Sequence, residues 1–400
     1  MGKYIKKFDT HSDYEDFIET EDFIKPNISY CEDNVEVHYN PMPHDYSKDY
    51  LTTVALEDGT ISFDIWKLIG TDMITSISYS TDDGETWTTI ANQNNKQENL
   101  SIDVDVEEGD KVMWKGIATQ TGYYYEDYDD YIGSFFSSDC EFDVKGNVMS
   151  LLYGDDFKGE TTIEGDGTFC RLFYDYDHEK TCSVVNAKDL SLPATTLVEG
   201  CYRDMFLNCT SLTTAPELPA TILANGCYDS MFKGCTNLTT APSILPATTL
   251  ANYCYNGMFS GCISLVNAPE LPATTLADYC YSAMFDDCTS LVNAPSVLPA
   301  TTLVEECYAA MFLGCTSLTI APVLPATTLV EDCYTYMFKG CTSLNYIKAM
   351  FTTTPSSTYT SNWVENVAST GTFVKNSAAS WTTTGINGIP TGWIVQTASV

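Results

Sequence analysis

Arginine is almost missing from this 400-residue chain: Arg171 and Arg203 are the only two. The bidentate clamps with which proteins usually grip phosphate and carboxylate groups therefore have almost no donors. Histidine is scarce as well, with His11, His38, His44 and His178 the full set, and no Cys-x-x-Cys pair occurs, so the common zinc patterns find no footing. No apolar run approaches the length of a membrane span, and the start MGKYIKKFDTHSDYEDF lacks the apolar stretch of a secretory signal. Lys6 also stands where a myristoylation motif needs Ser or Thr. As written, the chain is expected to be made and folded in a cytosol, with no membrane insertion. No phosphate-cradling glycine loop and no set of nucleophile, base and oxyanion donor can be assembled, so no enzyme is expected.

Positive charge is the other shortage. Nineteen Lys and Arg face 54 Asp and Glu, a formal net charge of -35. Residues 1–190 hold 41 acidic against 14 basic side chains, while 191–345 hold 12 against 3. Such a surface repels nucleic acid and anionic membranes. With 44% hydrophobic and 12% aromatic residues the chain is nevertheless rich enough to bury ordinary cores.

What is abundant is cysteine in pairs. CYNGMFSGC (254–262) returns as CYDSMFKGC at 227, CYSAMFDDC at 280, CYAAMFLGC at 307 and CYTYMFKGC at 333. The second cysteines, Cys209, Cys235, Cys262, Cys288, Cys315 and Cys341, are spaced 26, 27, 26, 27 and 26 apart. A period of that size means stacked units. Within LPATTLANYCYNGMFSGCISLVNAPE, the four-residue spacing of Leu250, Cys254 and Met258 predicts a short amphipathic helix, capped at its start by Thr248 or Thr249 and at its end by Gly261. LVNAP then predicts a short strand ended by proline. The pairs between CY and MF, such as Asp229-Ser230, Asn256-Gly257 and Ser282-Ala283, vary from unit to unit and are expected to point outward.

Zinc, disulfides and buried thiols compete as accounts of the cysteines. Eight helical residues span about 12 Å, too far for a disulfide within a unit, which needs Cα atoms within about 7 Å. Bridges between units remain possible, but a cytosolic chain keeps its thiols reduced. The expectation is stacked, reduced, buried thiols. Cys227, Met231, Phe232 and Cys235 then form one layer of core, repeated by Cys254, Met258, Phe259 and Cys262, by Cys280, Met284, Phe285 and Cys288, and by Cys307, Met311, Phe312 and Cys315.

The segment MF-x-G-C-T-S-L, followed by a strand and a proline, resembles the BspA-like leucine-rich repeats of bacterial surface proteins, of the kind carried by gut Bacteroidales and their phages. Six units between 191 and 345 carry the resemblance; the 26- or 27-residue unit and an additional cysteine at the helix start, such as Cys254, depart from it. The resemblance implies an α/β leucine-rich-repeat solenoid. STDDGETW, Ser80 to Trp87, resembles the Asp-box of sialidases. A single copy is expected to be a hairpin turn.

The whole chain is therefore expected to be multidomain and β-rich. Residues 1–50 form an amino-terminal anchoring arm, with a helix capped by Thr10 or Ser12 and an extended stretch around KPNISYCEDNVEVHYNPMP. Residues 51–148 form an Ig-like antiparallel β-sandwich of about seven strands, as the alternation Ile61, Phe63, Ile65 and Ile102, Val104, Val106 indicates. Residues 149–190 form a degenerate capping repeat, 191–345 the solenoid of about six coils, and 346–400 a carboxy-terminal cap built on Trp363, Trp381 and Trp393. No cofactor is expected. The acidic tyrosine-rich loop 122–136 offers Asp127, Asp129 and Asp130 as calcium candidates and Tyr123, Tyr124, Tyr125, Tyr128 and Tyr131 as sugar contacts. DYDHE (175–179) is a further acidic insert.

The arm resembles amino-terminal pieces of virion proteins of gut Bacteroidales phages. Together with the repeats, that resemblance implies a virion fibre or decoration protein, head or tail, docked on other virion proteins through its arm and presenting the repeats to a host surface protein or glycan. A bacterial cell-surface adhesin of the BspA-like class and a calcium-assisted carbohydrate-binding module are the other readings. A homo-oligomer is compatible with all three.

Overall fold

The computed structural model describes residues 4–6, 37–39, 44–65, 74–91, 100–125, 130–174 and 183–398. It is rich in β-structure, has almost no helix, and divides into two compact units, Met1–Tyr46 and Ser47–Val400. In the first unit, β1 (Tyr4–Lys6) pairs antiparallel with β2 (Val37–Tyr39). The stretch expected to be extended thus supplies one strand. The helix expected after Thr10 or Ser12 lies outside the described residues.

The second unit begins with two sheets. β3 (Leu51–Ala55), β4 (Gly59–Ile65), β5 (Ile74–Ser80), β6 (Thr88–Ala91), β7 (Leu100–Val106), β8 (Lys111–Ala118), β11 (Phe135–Ser138), β12 (Phe142–Asn147) and β13 (Val184–Ser191) make them up, and β9 (Gly122–Tyr125) with β10 (Asp130–Gly133) forms a separate hairpin. The orders are β11-β4-β7 and β13-β12-β3-β8-β5-β6. Period-two alternation drives them: Ile102, Val104 and Val106 are buried while Ser101, Asp103 and Asp105 face water. Trp114 on β8 meets Phe63 on β4 at 6.1 Å and Phe136 on β11 at 5.2 Å between ring centres, so the two sheets share a core. The indole N–H of Trp114, which needs a partner once buried, donates to Thr53 Oγ1 at 3.1 Å.

Two features differ from a purely antiparallel arrangement of strands drawn from 51–148. β13, from the stretch read as a capping repeat, joins the larger sheet, and it runs parallel to β12. A parallel pair needs a long crossover, and residues 148–183, which include the one-turn helix α1 (Ser150–Tyr153), supply it.

The cysteine units stack in register beyond β13. The helix expected in each unit does not form; its place is taken by a run of four-residue turns. Every fourth residue is left-handed: Gly226, Ser230 and Gly234 have φ of 56°, 55° and 75°, and Tyr253, Gly257 and Gly261 repeat them at 56°, 56° and 75°. Alternate N–H groups then serve two different partners. Cys227, Asp229, Met231, Lys233 and Cys235 donate three residues back within their own unit, to Ala224, Gly226, Tyr228, Ser230 and Phe232. Gly226, Tyr228, Ser230, Phe232 and Gly234 donate to the next unit, to the carbonyls of Asn252, Cys254, Asn256, Met258 and Ser260 at 2.7–3.1 Å. An α-helix would spend all these donors within one unit; here half of them bind the stack together.

The strand expected after each helix shrinks to single parallel bridges, for example Thr214 with Thr240 and Asn267 with Asn293. At the far end, β14 (Tyr346–Ala349), β15 (Thr372–Lys375) and β16 (Ile394–Thr397) form a parallel sheet. Trp363, Trp381 and Trp393 are buried beside it. Among the described residues no helix is long and apolar enough to cross a membrane.

Candidate functional site

The sixteen core residues named from the repeat, Cys227 through Cys315, have no exposed surface at all. They form columns. Phe206, Phe232, Phe259, Phe285, Phe312 and Phe338 stack at 5.4–5.8 Å between ring centres and within 13° of parallel. The column begins in the sheets, through Phe136 and Phe173, and ends on Trp363. Tyr202, Tyr228, Tyr255, Tyr281, Tyr308 and Tyr334 make a second column at 5.6–5.9 Å. A unit alone could not bury these rings, since each is covered by its copies above and below.

The fourteen described cysteines are buried. Those that close each unit tie it to the one before. The thiols of Cys209, Cys235, Cys262, Cys288, Cys315 and Cys341 donate to the carbonyls of Phe173, Phe206, Phe232, Phe259, Phe285 and Phe312 in the preceding unit, at 3.0–3.1 Å. Burial pushes the thiols of Cys227, Cys235, Cys254, Cys288, Cys307 and Cys315 well above the ordinary range. The reactive thiolate is therefore suppressed where the sulfurs sit. Repetition alone placed these residues inside; the thiol-to-carbonyl bond has no sequence signal, because its acceptor belongs to another unit.

The hydroxyls of Tyr202, Tyr228, Tyr255, Tyr281 and Tyr308 are buried without a hydrogen-bond partner in the structure. Burial raises all five above the usual phenol range. At the start of the stack both arginines of the chain are used in one charged cluster. Arg171 Nη2 lies 3.2 Å from Asp204 Oδ2, and Arg203 Nη1 lies 3.1 Å from Asp229 Oδ2. Desolvation outweighs the two guanidinium groups at Asp204, whose carboxyl rises to about 6. Arg171 is buried in the cluster, and the half-buried Arg203 is engaged by both Asp204 and Asp229.

Outside the core, the surface differs from the expected one. The pairs between CY and MF are not simply outward: Asp229 and Ala309 are buried, and Asp229 is engaged by Arg203 and by Asn256 of the next unit. The exposed and nearly constant positions are instead the threonines of LPATT. Thr195-Thr196, Thr248-Thr249, Thr274-Thr275, Thr301-Thr302 and Thr327-Thr328 are all exposed, with Thr221-Ile222 the one variation. Beside this uncharged ladder, Tyr253 and Tyr279 stack at 4.6 Å, and Tyr279 donates to Glu306 Oε1 at 3.0 Å.

The Asp-box stretch is the turn of the β5–β6 hairpin. Ser80 Oγ donates to Asp82 Oδ1 at 2.6 Å, Asp82 accepts the Thr86 N–H at 2.9 Å, and the Trp87 indole donates to the Gly84 carbonyl at 3.1 Å. Hydrogen bonds from Ser80 and Thr86 lower the Asp82 carboxyl to about 2. These side-chain donors are spent within the turn. Trp87 itself lies under the Lys115 ammonium at 4.0 Å.

The tyrosine-rich stretch proves to be a hairpin rather than a loop: Tyr123, Tyr124 and Tyr125 on β9 face Ile132, Tyr131 and Asp130 on β10. The side chains of 123–132, all of 126–129 with Asp127, Tyr128 and Asp129, and the DYDHE insert lie outside the described residues. Among the described residues no group of three His, Cys, Asp or Glu stands close enough to hold a metal ion. No family model, no curated protein and no solved structure matches the chain.

Proposed function

We propose that this is a non-enzymatic display protein, a leucine-rich-type solenoid of the BspA-like kind whose outer face attaches to a host surface protein or glycan. One observation carries the reading: in the repeat region the thiols and most phenols are turned into the core, while the outside presents an ordered, uncharged threonine ladder. A surface built on one repeating motif suits a repetitive or extended ligand, and the shared aromatic columns make the support rigid. The two-sheet region holds the stack at one end. The separate amino-terminal unit is the candidate for docking on other virion proteins, in keeping with a fibre or decoration of a phage particle.

Two measurements test this. Mass spectrometry of purified phage particles should recover the chain with the other virion proteins; recovery from outer-membrane fractions alone would replace the virion with a cell-surface adhesin. Labelled full-length chain should bind intact host cells and lose binding when Thr248, Thr274 and Thr301 are changed together to Lys. Cells that bind neither version would remove attachment from the account.

A further inference from the structure

Among the described residues the outermost strand, β16, is an open edge. It pairs with β15 on one side only, and Ile394 N–H bonds the Gly371 carbonyl while Ala398 N–H bonds the Lys375 carbonyl. The alternation of a parallel ladder therefore turns the N–H and C=O groups of Val395 and Thr397 toward the open side. Proteins usually blunt such an edge with charge or proline inside the strand. Here Ile394 is 65% and Val395 46% exposed. The last charged residue is Lys375, so residues 376–400 carry none in a chain whose formal charge is -35.

We propose that a second copy of this chain docks on β16, strand against strand and antiparallel, as a two-fold end-to-end dimer. The charge distribution selects that occupant. Two copies repel one another wherever their acidic surfaces meet, and they can approach at low electrostatic cost through the uncharged end. The edge is also self-complementary. With Gln396 on the two-fold axis, Val395 faces Thr397 of the other copy and Thr397 faces its Val395, which yields about four backbone hydrogen bonds and one continuous six-stranded sheet. Ile394 and Val395 supply apolar area at the seam. The contact is short, so association is expected to be weak and concentration-dependent.

Sedimentation velocity on the full chain across a concentration series tests this. The expected result is a monomer–dimer equilibrium that tightens with added salt, as screening relieves the mutual repulsion. Thr397→Pro, which removes an outward N–H, and Val395→Lys, which adds charge at the seam, should each weaken dimerisation at least tenfold. Circular dichroism and thermal melting should stay at wild-type values, since all four residues of β16 are exposed. A chain monomeric at every concentration, or a dimer indifferent to both substitutions, overturns the proposal. So does a partner strand from another protein on this edge with no self-association.

Discussion

The thiol of Cys262 donates a hydrogen bond to the carbonyl of Phe232 in the preceding unit at 3.1 Å, and that same carbonyl accepts the N–H of Cys235. The sulfur thus has a reason to be a sulfur. Cys262→Ala should cost about 1–3 kcal/mol, combining a lost buried donor with a small cavity. Cys262→Ser keeps a donor and should cost less. Denaturant titration of the two variants checks the order, and a serine less stable than the alanine would reduce the thiol to mere filling.

Tyr255 makes the opposite case. Its ring is held between Tyr228 and Tyr281, yet its hydroxyl has no partner in the structure. Tyr255→Phe should therefore be neutral or stabilise by up to about 1 kcal/mol, whereas Tyr255→Ala should destabilise by about 3–5 kcal/mol. Phe169 already occupies the same column next to Tyr202. A loss of melting temperature in the Phe variant would reveal a bond to that oxygen.

Backbone conformation supplies a third test. Ala283 holds φ of 51° and Ala310 of 53°, where one other unit places Gly257 at 56°. An L-residue there costs about 1–2 kcal/mol. Ala283→Gly should raise stability by a few tenths to about 1 kcal/mol, the gain being trimmed by the greater freedom of an unfolded glycine. Gly257→Ala should do the reverse, its new Cβ meeting Ser230 Oγ at 3.3 Å. Thermal melts of the pair should move in opposite directions.

A pH dependence follows from Asp286. Desolvation first, and Asp287 beside it second, raise its carboxyl from 3.8 to about 6. The folded state then holds the proton more tightly than the unfolded one. Its contribution is fully present below about pH 4 and is lost as pH rises through about 6. Asp286→Asn removes the penalty, so it should stabilise the chain on the order of 1 kcal/mol at pH 7.5, after allowance for solvent screening, and change little at pH 4. An equal effect at both pH values would separate the stability change from ionisation.

What the sequence makes legible is whatever one unit settles alone. The inward identity of Cys254, Met258 and Phe259 follows from near-identical copies, the alternation at Ile102 and Val104 from a half-buried strand, and the turn at Ser80 to Trp87 from its own side chains. The helix expected around Met258 fails for a quantitative reason. Over two turns a period of about 3.6 and a period of about 4.0 bring the same residues to one face, and only left-handed positions four apart, such as Gly257 and Gly261, tell them apart. The destination of the Phe232 N–H, the parallel pairing of β13 and the exposure of Thr274-Thr275 all depend on a neighbour distant in sequence, so no local pattern announces them.

Because half the backbone donors of each unit's turn run are claimed by the next unit, and because Cys, Tyr, Met and Phe recur at matching places, excising or duplicating one unit leaves the flanking ones with compatible faces. Copy number is then a free variable. Recombination between near-identical segments of the coding sequence can add or remove stacked units without redesigning either end. The number of units is thereby separated from folding: every added segment inherits a ready-made seat.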